Sequence, residues 1–188
     1  MSTAELLTPK PRLWGDSNDR DYEIVDGDRV EMPPKSVDSQ VLASDLAYHL
    51  NNYGFGKDYG IACVNVLFKL PLNVDRNRRP DAAFISYGRW AKNRPVPPTA
   101  SWEVLPDLFV EVVSPLDQSD EIETKVLEYL EAGALLVWIV YPRHKGVYVY
   151  ESPHKVCRLT RDDTLDGVVV LPGFQLPLIE LFPDPPAE

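Results

Sequence analysis

The stretch from Pro106 to Pro142, PDLFVEVVSPLDQSDEIETKVLEYLEAGALLVWIVYP, decides the fold. Pro106-Asp107 opens Leu108 to Val113, which is apolar on both faces except for Glu111. Ser114-Pro115 stops that run. Asp117 to Ala132 then places apolar residues at helical spacing, and Gly133 stands where a helix C-cap glycine belongs. Ala134 to Tyr141 is wholly apolar and reads as a second buried strand. Strand, helix, strand of this kind predicts a right-handed parallel crossover with both strands inside.

Outward from this unit the pattern stays mixed. Tyr22 to Val25 and Arg29 to Met32 flank Asp26-Gly27-Asp28, a hairpin signal. Pro33-Pro34 ends the hairpin, and Val37, Val41, Leu42, Leu46, Leu50 and Tyr53 predict a helix. Ser36 or Asp38 caps its start, and Gly54 and Gly56 are read as its end. Ile61 to Leu70 is one bent strand or two short ones, Asn73 to Arg79 a polar turn, and Asp81 to Ser86 a strand. Tyr87 to Glu103 is a long proline-bearing loop of the kind that often carries function. Gly146 to Glu151 and Val156 to Thr160 alternate like outer strands, and Val168 to Leu171 and Leu178 to Phe182 close the chain. The class is α/β: a mixed sheet with a parallel centre, two main helices and an N-terminal β-hairpin.

A length of 188 residues with 44% hydrophobic and 26% charged residues fits one folded domain and excludes global disorder. Residues 1–20 read as an arm, 21–183 as the domain, and 184–188 as a tail. The two cysteines, Cys63 and Cys157, are isolated and read as buried free thiols in a reducing cytoplasm. The N-terminus lacks the apolar core of a secretory signal, and the longest apolar run, Ala134 to Tyr141, is too short to span a bilayer. A cytoplasmic protein without a membrane partner is expected.

Glu111 is the most informative residue. In an alternating strand it points the same way as Phe109 and Val113, into packed surroundings. A buried carboxylate costs several kcal/mol unless it is paired or protonated. A metal ion, a lysine or arginine, or helix-end amides must therefore compensate it; a buried ion pair serving only the sheet satisfies the same demand. Asp81 follows Arg78, Arg79 and Pro80 and opens a strand. Alone it is a turn residue, and it gains weight if its strand lies beside that of Glu111. Lys125 falls about 60° from Ile122 on a helical wheel, at the edge of the buried face set by Ile122, Val126 and Tyr129. It can send its ammonium along the helix flank, or pair with Glu121 one turn away. His49, His144 and His154 show no metal-ligand spacing, and no phosphate-cradling glycine loop or nucleophile elbow is present.

The formal net charge of -10 argues against nonspecific nucleic-acid binding. Its distribution is uneven. Arg76, Arg78, Arg79, Arg89, Lys92 and Arg94 bracket Asp81, the one acid in that stretch. A local basic rim can bind phosphate within an acidic protein.

The words YEIVDGDRVEMPP, RRPDAAFIS, PDLFVEVVSP, KVLEYLEAGALLVWIVYP and LPGFQLPLIELF occur in order from Tyr22 to Phe182. Together they resemble the Uma-two family of endonucleases, in the PD-(D/E)XK restriction-endonuclease-like superfamily. The resemblance implies a mixed central sheet flanked by helices, with Asp81 as the Asp of the PD motif and Glu111 as the second acid. The superfamily lysine two residues later is Val113 here; the resemblance transfers that role to Lys125. It implies Mg²⁺ or Mn²⁺ held by Asp81, Glu111 and the Val112 carbonyl, with Glu31 and Gln40 as accessory residues. Where the family often carries histidine at the first long helix, this chain has Ser39-Gln40. Arg76, Arg78 and Arg79 are candidates for phosphate contact. DNA is the implied substrate and a homodimer the expected assembly. Two other readings use the same residues: a nuclease fold serving as an inactive binding or regulatory module, and a phosphodiesterase for a small nucleotide.

Overall fold

The computed structural model describes residues 20–184. The expected arm, apart from Arg20, and the tail beyond Asp184 lie outside the described residues.

The chain begins with a hairpin of β1 (Tyr22–Val25) and β2 (Asp28–Glu31). Asp26 and Gly27 turn it, with φ of 54° and 87°. Positive φ at both centres is what a tight two-residue hairpin demands. Helix α1 (Val37–Lys57) follows, then β3 (Gly60–Val64), β4 (Phe68–Lys69), β5 (Arg76–Arg78) and β6 (Ala82–Ser86). The crossover consists of β7 (Leu108–Val112), α2 (Ser119–Glu131) and β8 (Leu136–Tyr141). β9 (Gly146–Ser152) and β10 (Lys155–Thr160) form an outer hairpin. β11 (Thr164–Asp166), β12 (Gln175–Pro177) and the short α3 (Leu178–Leu181) close the domain.

The central sheet runs β10-β9-β8-β7-β6-β3, and a smaller one runs β2-β1-β5-β4. β7 and β8 are parallel, whereas β6 is antiparallel to β7. Alternation divides β7 between two cores. Leu108, Val110 and Val112 pack towards α1 with Leu46, Leu50 and Trp138. Phe109 packs towards α2 with Val126, Tyr129 and Ile139, and its ring stacks on Tyr129 at 3.9 Å. Glu111 therefore lies on the α2 face, at the end of a strand whose five residues are all buried. Among the described residues, no helix is long and apolar enough to cross a membrane.

Four expectations need correction. α1 does not end at Gly54 and Gly56; it continues to Lys57, and Asp58 caps it at φ 60°. Gly54 answers a packing need, because a Cβ there would stand 2.9 Å from the Phe84 ring. The inward face of α1 uses small residues, Ser39, Ala43 and Ala47, beside Leu46 and Leu50, while Val37 and Val41 are exposed. The polar turn from Asn73 to Arg79 contains a strand, β5, whose polar side chains gave no alternation of hydrophobicity to read. Cys63 is half-buried and Cys157 exposed, so the second thiol is not a core residue.

Candidate active site

The antiparallel ladder pairs Ala82 with Val110, so one further step sets Asp81 beside Glu111. Asp81 Oδ2 accepts a hydrogen bond from the Val112 main-chain N–H at 2.7 Å. The condition under which Asp81 gains weight is thus met: its strand and that of Glu111 are neighbours. Lys125 Nζ reaches both Glu23 Oε1, at 2.9 Å, and Glu111 Oε1, at 3.6 Å. It therefore turns inward from α2 instead of pairing with Glu121. Tyr129 donates its hydroxyl to Glu111 Oε1 at 2.6 Å.

The hairpin supplies the carboxylate that fixes this lysine. β1 pairs with β5 through Ile24 and Asn77, and the next step outward aligns Glu23 with Arg78. Arg78 donates from Nη1 to Glu23 Oε2 and from Nε to Glu128 Oε2, both at 2.6 Å. The Arg79 amide donates to Glu23 Oε1 at 3.0 Å. Hairpin, β5 and α2 are thereby tied by one buried ion network.

Burial moves these groups in different directions. It pushes Glu111 up to about 7, with the Asp81 charge adding to the effect and Lys125 opposing it. Burial also raises Asp81, against the pull of Lys35 and the Val112 amide. Burial alone would raise Glu23, but Lys125, Arg78 and the Arg79 amide outweigh it and hold the carboxyl below its ordinary value. Burial would lower Lys125 and Lys35, yet their carboxylate neighbours outweigh it and raise both. Asp81 and Glu111, neighbours in the interior of the sheet, are raised chiefly by burial, whereas the cations around Glu23 outweigh its burial.

Two cavities meet beside this pair, sharing Met32, Pro33 and Lys35. A narrow one of about 40 Å³ is lined by Glu23, Glu31, Lys35, Glu111, Asp117 and Lys125, among others. A wider one of about 480 Å³ lies on the α1 side, with Asp81, Lys35, Gln40, Ser44 and Asn65 in its walls beside Met32, Pro33 and Val64.

The structure brings Asp81, Glu111, the Val112 main chain and Lys125 together. Glu31 lines the narrow cavity but is exposed and pairs with Arg20 at 3.4 Å. Gln40 lines the wide cavity and donates to the Lys35 carbonyl at 3.1 Å. The three arginines are engaged by protein. Arg78 is 3% exposed between Glu23 and Glu128. Arg76 lies 3.0 Å from Asp26 and 3.2 Å from Glu128. Arg79 donates to the Tyr22 and Asn65 carbonyls. The rest of the basic rim is elsewhere: Arg89 donates to Asp107 at the start of β7 and to the Gly133 carbonyl, and Lys92 pairs with Asp58. Glu111 stands near the other end of that strand, so the long loop does not flank the carboxylates.

Glu23, Lys35, Tyr129 and Asp117 were not singled out from sequence. Tyr129 carried a readable signal, lying one turn beyond Lys125 on the buried face. Glu23 depends on a pairing between β1 and β5 that no local pattern announces. Lys35 sits in a loop after two prolines, without periodicity.

A central mixed sheet flanked by a few helices, with an N-terminal β-hairpin, gives the domain a nuclease-like α/β fold. A family model described as "Putative restriction endonuclease", Uma2, matches residues 8–179. The chain belongs to the Uma2 family. Its structure is similar to that of a protein from Anabaena variabilis ATCC 29413 described as "a putative nuclease belonging to DUF820", with a TM-score of 0.75 and 17% identity over 86% of this chain and 89% of that chain. At that identity the likeness is one of fold. No curated protein matches the chain.

Proposed function

We propose that this chain is a divalent-metal-dependent endonuclease that hydrolyses phosphodiester bonds in DNA, with Asp81, Glu111 and Lys125 at its centre. The observation that carries this reading is the placement of Asp81 and Glu111 side by side, both held above their ordinary values, with a lysine ammonium 3.6 Å from Glu111. The family description and the nuclease-like fold support it.

The donor set fits a hard divalent cation. Two carboxylates and the Val112 carbonyl offer oxygen alone, which suits Mg²⁺ or Mn²⁺ over zinc. Burial raises both carboxyls, and a bound cation would favour their ionised forms. When bound, the ion supplies Lewis-acid polarisation of the scissile phosphate. The protein's own groups do the positioning. The Val112 amide fixes the Asp81 carboxylate, and the Tyr129 hydroxyl fixes that of Glu111. Lys125, held between Glu23 and Glu111, stays protonated and offers positive charge to the phosphate oxygens as they gain charge.

The test is cleavage of plasmid and single-stranded DNA by the purified chain with Mg²⁺ or Mn²⁺. Cutting that Asp81→Asn and Glu111→Gln abolish, in variants that still fold, is expected. No cutting of either form, or equal cutting by the variants, would refute the reading.

A further inference from the structure

We propose that Lys35 is a resident counter-cation of Asp81 that a divalent ion must displace, so that Lys35 sets the metal concentration at which the site loads. This rests on the nuclease reading above. Lys35 Nζ lies 3.3 Å from Asp81 Oδ2 and 3.6 Å from Asp117 Oδ2, bridging carboxylates from the start of β6 and from the approach to α2. Its side chain is 17% exposed, so it is no freely solvated surface lysine. The ammonium thus already stands as a counter-charge on Asp81 and Asp117.

An ammonium and a divalent ion on one carboxylate repel each other, and the repulsion is strong where water is largely excluded. With Lys125 fixed between Glu23 and Glu111, the repulsion is relieved most readily by movement of Lys35. Lys35 has a route, because it lines both cavities and its flexible four-carbon stem can carry the ammonium from Asp81 into the wide one. Lys125 has none comparable: its closest partner is Glu23, itself locked by Arg78 and the Arg79 amide. Of the two lysines at the site, Lys35 is the exchangeable one and Lys125 the fixed one.

The experiment is a Mn²⁺ titration of the full chain, reading free Mn²⁺ by electron paramagnetic resonance. Lys35→Gln should bind Mn²⁺ about tenfold more tightly than the native chain, since it removes a competing charge and keeps a hydrogen-bonding side chain. Asp81→Asn should lose that binding. Equal or weaker binding by Lys35→Gln, with the native chain binding normally, overturns the proposal and leaves the nuclease reading intact. Undiminished binding by Asp81→Asn also overturns it. If neither the native chain nor Lys35→Gln binds Mn²⁺, the metal-dependent reading fails and this proposal with it. A second measurement needs no variant. Lysine-selective acylation, followed by peptide mass spectrometry, should modify Lys35 several-fold faster in saturating Mg²⁺, with Lys125 as the internal reference. An unchanged or slower Lys35 rate contradicts displacement.

Discussion

The ammonium of Lys125 lies closer to Glu23, at 2.9 Å, than to Glu111, at 3.6 Å. The lysine on the crossover helix is thus aimed by the N-terminal hairpin. Glu23 in turn is held by Arg78, which also grips Glu128 on the same helix as Lys125. Hairpin and helix fix the position of the cation together, so a change at Glu23 acts on the candidate site through Lys125.

Removing Glu23 should therefore be costly. Glu23→Gln leaves Lys125 and Arg78 buried with an incomplete set of partners, and a broken buried pair typically costs about 3–5 kcal/mol. Urea unfolding at pH 7 measures this. The pH dependence has a definite sign. The Glu23 carboxyl is held below its ordinary 4.5, so its contribution is present above that value and is lost as pH falls through the lower folded value. The gap between native chain and variant should close below about pH 4.5. A gap that is constant across this range would show that the Glu23 charge contributes nothing.

Tyr129→Phe separates packing from hydrogen bonding. The ring stacked on Phe109 is retained, and only the hydroxyl that donates to Glu111 is lost. A hydrogen bond to a charged group contributes about 1.5–3 kcal/mol, and a loss of that size in thermal unfolding is expected above about pH 7, where the Glu111 carboxylate is ionised. Cleavage should fall as well, because the Glu111 carboxylate loses the donor that orients it. A variant as stable and as active as the native chain would remove Tyr129 from the account.

How much of this was legible beforehand depended on range. The crossover from Leu108 to Tyr141 was readable because periodicity is local: alternation put Glu111 with Phe109, and the helical wheel put Lys125 at the edge of the buried face. The neighbouring strands of Asp81 and Glu111 were readable only as a condition, now met. Arg78 reads from sequence as a candidate phosphate contact because charge alone does not reveal a partner, and Glu23 pairs with it through two short strands far apart in sequence. The extension of α1 through Gly54 was hidden for a related reason. Glycine there answers the approach of the Phe84 ring, a contact from another element.

The two thiols should react very differently. Cys157 is exposed on β10, whereas burial pushes the Cys63 thiol up to about 12. The thiolate is the reactive form. A chromogenic disulfide reagent at pH 8 should titrate one thiol per native chain and both in guanidinium, with peptide mapping assigning the fast one to Cys157. Rapid labelling of Cys63 in the native chain would contradict its placement.

The basic loop offers a further check. Lys92 pairs with Asp58, and the Arg94 guanidinium lies 3.7 Å over the Trp90 ring, both away from the carboxylates. Lys92→Ala with Arg94→Ala should leave oligonucleotide affinity and its salt dependence unchanged within about twofold, whereas a true phosphate contact lowers the salt slope by roughly one per charge removed. Fluorescence anisotropy over a salt series distinguishes the two.

The most direct test of the central claim is a crystal of the full chain soaked in Mn²⁺ and measured for anomalous scattering. The account predicts a peak held by the carboxylates of Asp81 and Glu111, with the Lys35 ammonium no longer on Asp81. A chain that takes up Mn²⁺ elsewhere, or that shows no peak between these carboxylates while Lys35 keeps its place, would contradict it.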